Sequence, residues 1–192
     1  EHLTAMGDQG PRQGSEVVIG AITRDRRRVI TDLVILTKPR VVLMVLVTTL
    51  VGYYVALPGP ADWARVIHLV VGTLLAAGGT LALNQYRERD VDARMERTRL
   101  RPLPDGRLMP LEALLFGTAT TVLGLLYLAA CVNLPSMLVT AAVVVLYLFA
   151  YTPLKLKTPL ATLVGAVPGA LPPVTGWVAA RDDVGVGAAV LF

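Results

Sequence analysis

Residues 72–92 read Gly72-Thr-Leu-Leu-Ala-Ala-Gly-Gly-Thr-Leu-Ala-Leu-Asn-Gln-Tyr-Arg-Glu-Arg-Asp-Val-Asp92, an uncharged run that turns abruptly ionic at Arg87. With the preceding residues from Val66, the apolar part is long enough to cross a bilayer, which takes roughly 20 residues. If the helical period continues through the charged end, Asn84, Glu88 and Asp92 recur every fourth residue. Each step drifts by about 40°, so the three share one stripe while Asp90 turns away. One amide and two carboxylates make an all-oxygen set suited to Mg²⁺, which takes few protein ligands and completes its shell with water and substrate phosphate. By itself the pattern equally describes a solvated helix end.

The rest of the chain places that helix in a membrane. The sequence is 54% hydrophobic and 17% charged, with mean hydropathy +0.61, too apolar for an ordinary soluble domain of this size. Uncharged runs cover Val41–Ala61, Val66–Tyr86, Ala113–Leu154 and Thr158–Ala180. The third is long enough for two spans hinged near Asn133-Leu-Pro135. The expected fold is therefore an all-α integral membrane bundle of five complete spans, with Val184–Phe192 as the start of a sixth. Because the chain begins with Glu and stops inside an apolar run, it reads as a fragment. Residues 1–28 form a polar segment without periodicity, expected to be disordered, and 29–192 form the membrane domain.

Charge placement sets the orientation. Of 18 basic residues, only Arg65 and Arg181 fall on one side of the alternating spans. The positive-inside rule places the other side, with the N-terminus and the 87–112 loop, in the cytoplasm. The expected location is the inner, cytoplasmic cell membrane, with the lipid bilayer as partner. The basic cluster Arg24–Arg28 fits topology and head-group attraction; nucleic acid is excluded as a partner because no soluble fold presents these charges. Lone Cys131 leaves no internal disulfide or zinc site. His68, near a membrane edge, is read as an interfacial residue rather than a ligand.

Along the chain, Val29–Thr37 reads as an interfacial helix leading into Thr37-Lys-Pro-Arg40, with Pro39 in the first turn of the next helix. This brings Lys38 and Arg40 to the cytoplasmic mouth. From Arg87 to Arg107 seven arginines interleave with Glu88, Asp90, Asp92, Glu96 and Asp105. A topological loop needs the bases but not the acids. Arg97, Arg99 and Arg101 alternate before Pro102, and guanidinium forks suit bidentate phosphate contact. Lys155 and Lys157 bring further cations to the same side. Carboxylates for a divalent ion beside arginines for phosphate oxygens point to a diphosphate site. The last span holds Gly165, Pro168, Gly169, Pro172, Pro173 and Gly176. Each Pro removes a backbone donor, so this span is expected to be no smooth helix but a kinked wall of a cavity.

These segments carry a resemblance. Thr37-Lys-Pro-Arg40, Asn84-x-x-x-Glu-Arg-Asp-x-Asp92, Arg97-Thr-Arg-x-Arg-Pro-Leu-Pro-x-Gly-Arg107, Tyr151-Thr-x-x-Lys-x-Lys-Thr-Pro159 and Gly165-Ala-x-Pro-Gly-Ala-x-Pro-Pro-x-x-Gly-Trp177 resemble, in order and spacing, the heme-modifying branch of the UbiA superfamily of intramembrane prenyltransferases. The resemblance implies a nine-helix fold, of which this would be the N-terminal part, with two acidic motifs that bind Mg²⁺ and the diphosphate of an allylic donor. Asn84, Glu88 and Asp92 match the first motif. Glu in the middle slot, where Asp is commoner, favours the heme branch. Arg97, Arg99 and Arg101 match the arginine segment, with Lys38, Arg40, Lys155 and Lys157 as weaker diphosphate contacts. The second acidic motif belongs to the later half and is not in this sequence. The implied substrates are farnesyl diphosphate and heme B, and the implied protein partners are a heme A synthase or a terminal oxidase assembly. The fragment alone is expected to be inactive.

Two alternatives stay open on the residues alone. A superfamily member with a quinone precursor or other aromatic acceptor would share the donor chemistry. A transporter or scaffold would share the spans, but it calls for an internal repeat or a mid-membrane ionisable group, and the spans show neither.

Overall fold

The computed structural model describes residues 26–192 apart from Leu156. The polar segment over residues 1–25 lies outside the described residues. Helix α1 is Arg26–Leu36, so residues 26–28, assigned above to the polar segment, belong to its first turn. It is the expected interfacial helix, begun earlier. Asp32 and Leu36 are buried while Ile30, Val34 and Ile35 are exposed.

Five helices are long and apolar enough to cross a membrane. They are α2 (Pro39–Ala56), α3 (Trp63–Asp92), α4 (Pro110–Cys131), α5 (Leu134–Leu154) and α6 (Ala161–Arg181). A six-residue helix, α7 (Val186–Leu191), follows. No strand occurs among the described residues, and the expectation of an all-α bundle with five complete spans holds. The exposed side chains of the spans are apolar, among them Leu43, Val47, Leu115 and Leu126, as a lipid-facing surface requires.

Local chemistry sets the helix ends. Asp62 caps α3 by accepting from the amides of Ala64 and Arg65 at 3.0 and 3.3 Å. In α4, Pro110 takes the first position, and Glu112 reaches back to the amide of Met109 at 2.8 Å. Asn133 caps α5 through the amide of Ser136 at 2.8 Å, where the hinge was expected. Thus α3 has 30 residues, about 45 Å at 1.5 Å each. That exceeds the roughly 30 Å hydrocarbon core, so its last turns emerge with Asn84, Glu88 and Asp92.

Small residues bring the helices together in two pairs. In α3 and α4, Gly79 lies against Thr121, Gly124 against Ala76 and Gly117 against Leu83, each without room for a Cβ. In α2 and α6, Gly52 meets the Pro173 carbonyl and Gly176 the Thr49 carbonyl. Without a hydrophobic drive between helices in lipid, such close contact is what holds them together. The Ala76–Gly79 run packs as the sequence suggests. The Gly165-x-x-x-Gly169 pair does not: Gly165 faces the Tyr151 ring and Gly169 has open space beside it.

Helix α6 also corrects an expectation. It is one helix through Pro168, Pro172 and Pro173 rather than an interrupted one. Packing against α2 supports it from outside, which is how a membrane helix tolerates proline. It does wall a cavity, with Pro168 and Pro172 in the lining.

At the end opposite the emerging turns of α3, polar side chains staple the spans. Arg65 pairs with Asp182 at 3.1 Å, Asn133 donates to Asp182 at 2.7 Å, and Arg181 donates to the Ala56 carbonyl at 2.7 Å. His68 is 2.8 Å from the Tyr127 hydroxyl. Cys131 is exposed on the outer side of α4 rather than packed inside.

Candidate functional site

The emerging turns of α3 meet three other segments. Asn84, Glu88 and Asp92 are 2%, 6% and 5% exposed, which is low for groups at a helix end. Each is matched by a base from a different part of the chain. Lys38 donates to Asn84 Oδ1 at 3.4 Å, Lys155 Nζ lies 3.2 Å from Glu88 Oε1, and Arg101 Nη1 lies 2.5 Å from Asp92 Oδ2. Asp90 is 78% exposed at its side chain, turned away as the helical period requires.

Lys38 reaches in because of its backbone. It precedes Pro39, which disfavours the right-handed helical region, and adopts φ 49° just ahead of α2. A non-glycine residue there is uncommon and strained. Burial pushes the Lys38 ammonium below its ordinary pKa and Arg101 adds to the shift, while Glu88 and Asp92 oppose it.

Lys155 follows directly after α5, whose last turns contain a π-helical stretch, Leu146–Tyr151. Such wide turns are often found at functional sites. Thr152 donates to the Tyr147 carbonyl at 2.8 Å and accepts from the Asn84 amide at 3.1 Å. This leaves Asn84 Oδ1 on the side of Lys38. Thr152 carries no recognisable signal of this role in the sequence, beyond following Tyr151.

The segment after α3 is built in rather than loose. Thr98, Pro102, Leu103 and Leu108 are buried, and the Thr98 hydroxyl donates to the Asp92 carbonyl at 2.9 Å. Leu103 and Leu108 join Leu36, Ala82 and Ala113 in one apolar cluster. Arg107 pairs with buried Asp32 of α1 at 2.6 Å, and Gln85 donates to the Leu36 carbonyl at 2.9 Å. Asp32 and Gln85 went unremarked in the sequence because nothing local marks an acid or amide as a clamp.

The ten candidate residues thus divide. Asn84, Glu88, Asp92, Lys38, Arg101 and Lys155 come together. Arg40, Arg97, Arg99 and Lys157 are exposed, and their side chains make no hydrogen bond or ion pair among the described residues. Alternation explains the arginines: Thr98 and Pro102 turn inward, so Arg97 and Arg99 turn out. Among the described residues no three His, Cys, Asp or Glu side chains cluster as a metal cage.

Directly inside the bundle from Asn84 lies a cavity of about 670 Å³ between α2, α3, α5 and α6. Val45, Thr80, Val143, Tyr147, Tyr151 and Gly165 contribute to its walls. Thr80 stands one turn before Asn84, so stripe and cavity share one face of α3.

Fold and site define a multi-pass helical membrane protein with a charged mouth above an apolar cavity. Residues 45–192 match the model of the UbiA prenyltransferase family, and the chain belongs to that family. It is 44% identical over 170 residues to the protoheme IX farnesyltransferase of Solibacter usitatus, covering 84% of this chain and 58% of the relative. Similar likenesses are found to the enzymes of that name from Anaeromyxobacter dehalogenans, at 42% identity over 84% of this chain and 54% of the relative, and Aquifex aeolicus, at 41% over 86% and 57%. The chain therefore spans between half and three fifths of the length of these curated relatives. No solved structure matches it.

Proposed function

We propose that the protein of which this chain forms the described part transfers the farnesyl group of farnesyl diphosphate to a vinyl group of heme B, giving heme O. The observation that carries this reading is the convergence of Lys38, Arg101 and Lys155 on the oxygens of Asn84, Glu88 and Asp92 at the mouth of an apolar cavity. The names of the relatives supply the acceptor.

The charges of this cluster fit Mg²⁺. Three bases and two carboxylates leave one positive charge in excess, while a diphosphate brings more than one negative charge, so a divalent cation balances the complex. With two carboxylates and an amide the protein supplies part of an octahedral shell, as Mg²⁺ shared with phosphate requires. Asn84, Glu88 and Asp92 would hold it, and bound there it offsets charge on the departing diphosphate.

The chain's own residues do the rest. Lys38, Arg101 and Lys155 exchange their present partners for phosphate oxygens and stabilise the leaving group. Arg40, Arg97, Arg99 and Lys157, all exposed, draw the anion toward the mouth. The cavity takes the prenyl tail and keeps water from the allylic carbon. The vinyl π electrons form the new bond to C1 as the C1–O bond breaks toward diphosphate. Water then adds to the resulting cation and loses a proton. No side chain acts as a covalent nucleophile.

The site side faces the cytoplasm, in keeping with the positive-inside rule, and the membrane is the inner cell membrane. A heme A synthase or terminal oxidase assembly is the partner that takes the product.

The test uses the full-length protein in liposomes with heme B, farnesyl diphosphate and Mg²⁺, and resolves hemes by mass spectrometry. Heme O forms in the wild type and is lost in Asn84→Ala and Asp92→Ala. Prenylation of a quinone precursor but not heme would overturn the acceptor and leave the donor site standing.

A further inference from the structure

The cavity ends on a layer of four buried threonines, one from each helix that walls it: Thr49 of α2, Thr73 of α3, Thr140 of α5 and Thr175 of α6. Their common level follows from the layer beneath. Tyr53 lies four residues beyond Thr49, Leu69 four before Thr73, and Ala179 four beyond Thr175. These three form one buried cluster with Leu128. Met137, three residues before Thr140, packs against it. Each threonine therefore stands one turn from an apolar plug, and Gly176 on the Thr49 carbonyl fixes two of the helices in register. None of these plug residues lines the cavity.

Threonine makes a stiff floor. It is short and β-branched, with few rotamers in a helix, so it cannot swing aside as Leu or Met can. Thr49 and Thr140 turn their hydroxyls onto the carbonyls of Val45 and Ser136, both at 2.8 Å. Thr175 approaches the Leu171 carbonyl at 3.4 Å. The Thr73 hydroxyl is buried without a partner.

The depth of this floor is a length. Thr73 lies eleven residues before Asn84 on the unbroken helix α3, and therefore roughly 16 Å further in at 1.5 Å per residue. An extended chain of carbon bonds near 1.5 Å advances roughly 1.3 Å per bond. The space from stripe to floor takes about a dozen bonds, the main chain of three isoprene units.

We propose that the threonine layer over the Tyr53 plug is the chain-length stop of the prenyl donor, with Thr73 its specificity-determining residue. The inference rests on the diphosphate reading of the stripe given above. It assigns the preference for a farnesyl tail to the floor of the cavity rather than to the mouth, where all prenyl diphosphates look alike.

The experiment measures binding of radiolabelled geranyl, farnesyl and geranylgeranyl diphosphate, with Mg²⁺, to the full-length protein in nanodiscs. Thr73→Leu raises the floor and shifts the geranyl-to-farnesyl affinity ratio by about tenfold toward geranyl, the scale on which apolar pockets discriminate small size differences. Tyr53→Ala opens the plug and admits geranylgeranyl, while the near-isosteric Thr73→Val leaves the ranking unchanged. If Tyr53→Ala does not fold, Thr73→Leu decides alone. Ratios unmoved by Thr73→Leu would overturn the stop and mean that the tail leaves sideways between helices. Because binding needs no heme, a wild type that ranks the donors as stated but forms no heme O would refute the proposed acceptor while upholding the stop.

Discussion

Lys155 Nζ lies 3.2 Å from Glu88 Oε1, across 67 residues of chain, joining the segment after α5 to the emerging turns of α3. The Glu88 side chain is 7% exposed and that of Lys155 48%, so the acid is fixed and the base has room to move. A base that can leave its acid is what an incoming anion needs.

Lys155→Met should weaken farnesyl diphosphate binding by about tenfold to a hundredfold, the worth of a charge-assisted hydrogen bond of roughly 1.5–3 kcal/mol. Lys155→Arg should recover most of it. Calorimetric titration with Mg²⁺ checks both; equal affinity of Lys155→Met and wild type would separate Lys155 from the donor.

The three arginines of the 97–101 segment should not be equivalent. Arg101 pairs with Asp92, whereas Arg97 and Arg99 are exposed. Exposed charges act through long-range, salt-screened attraction. Arg101→Ala should lower donor affinity at all salt concentrations. Arg97→Ala and Arg99→Ala should act through association rate and fade at high salt, as stopped-flow binding would show.

Metal removal should leave the fold intact. In the structure Glu88 and Asp92 already have Lys155 and Arg101 as counterions, so neither acid is left as an uncompensated buried charge without Mg²⁺. Addition of a chelator should not move the thermal midpoint of the ligand-free protein, but it should abolish stabilisation by added farnesyl diphosphate. A fall in the ligand-free midpoint would assign the metal a structural role instead.

Gly124→Leu should destabilise the bundle by about 1–3 kcal/mol or more, because an inserted side chain overpacks the contact and a Cβ at Gly124 already overlaps the Ala76 backbone. Gly59→Ala, with nothing within 4 Å, should be near neutral. Thermal inactivation in detergent compares them.

Thr73→Val should be neutral or stabilising by roughly 1 kcal/mol, since it removes a buried hydroxyl without a partner. A loss of comparable size would show that this hydroxyl is satisfied in the membrane.

The spans were legible in the sequence because a bilayer imposes length and apolarity on every one of them; helix α3 and the turn at Asn133 fell where composition put them. The stripe was legible because Asn84, Glu88 and Asp92 sit on one helix, where spacing alone fixes direction. Pairing across segments was not. That Lys38 meets Asn84 depends on a left-handed residue before Pro39, and that Arg101 turns inward while Arg97 turns out depends on Thr98 and Pro102 as buried anchors. The continuity of α6 was misread because proline content was weighed without the support of α2. The Asp32–Arg107 clamp had no local signature, as long-range ion pairs seldom do.

The most direct test of the central claim is the dissociation constant of farnesyl diphosphate, with and without Mg²⁺, for wild type and Glu88→Gln in nanodiscs. Binding that requires Mg²⁺ and weakens at least tenfold in Glu88→Gln is the predicted result. Affinity independent of both metal and Glu88 would contradict the assignment of this stripe to a metal–diphosphate site.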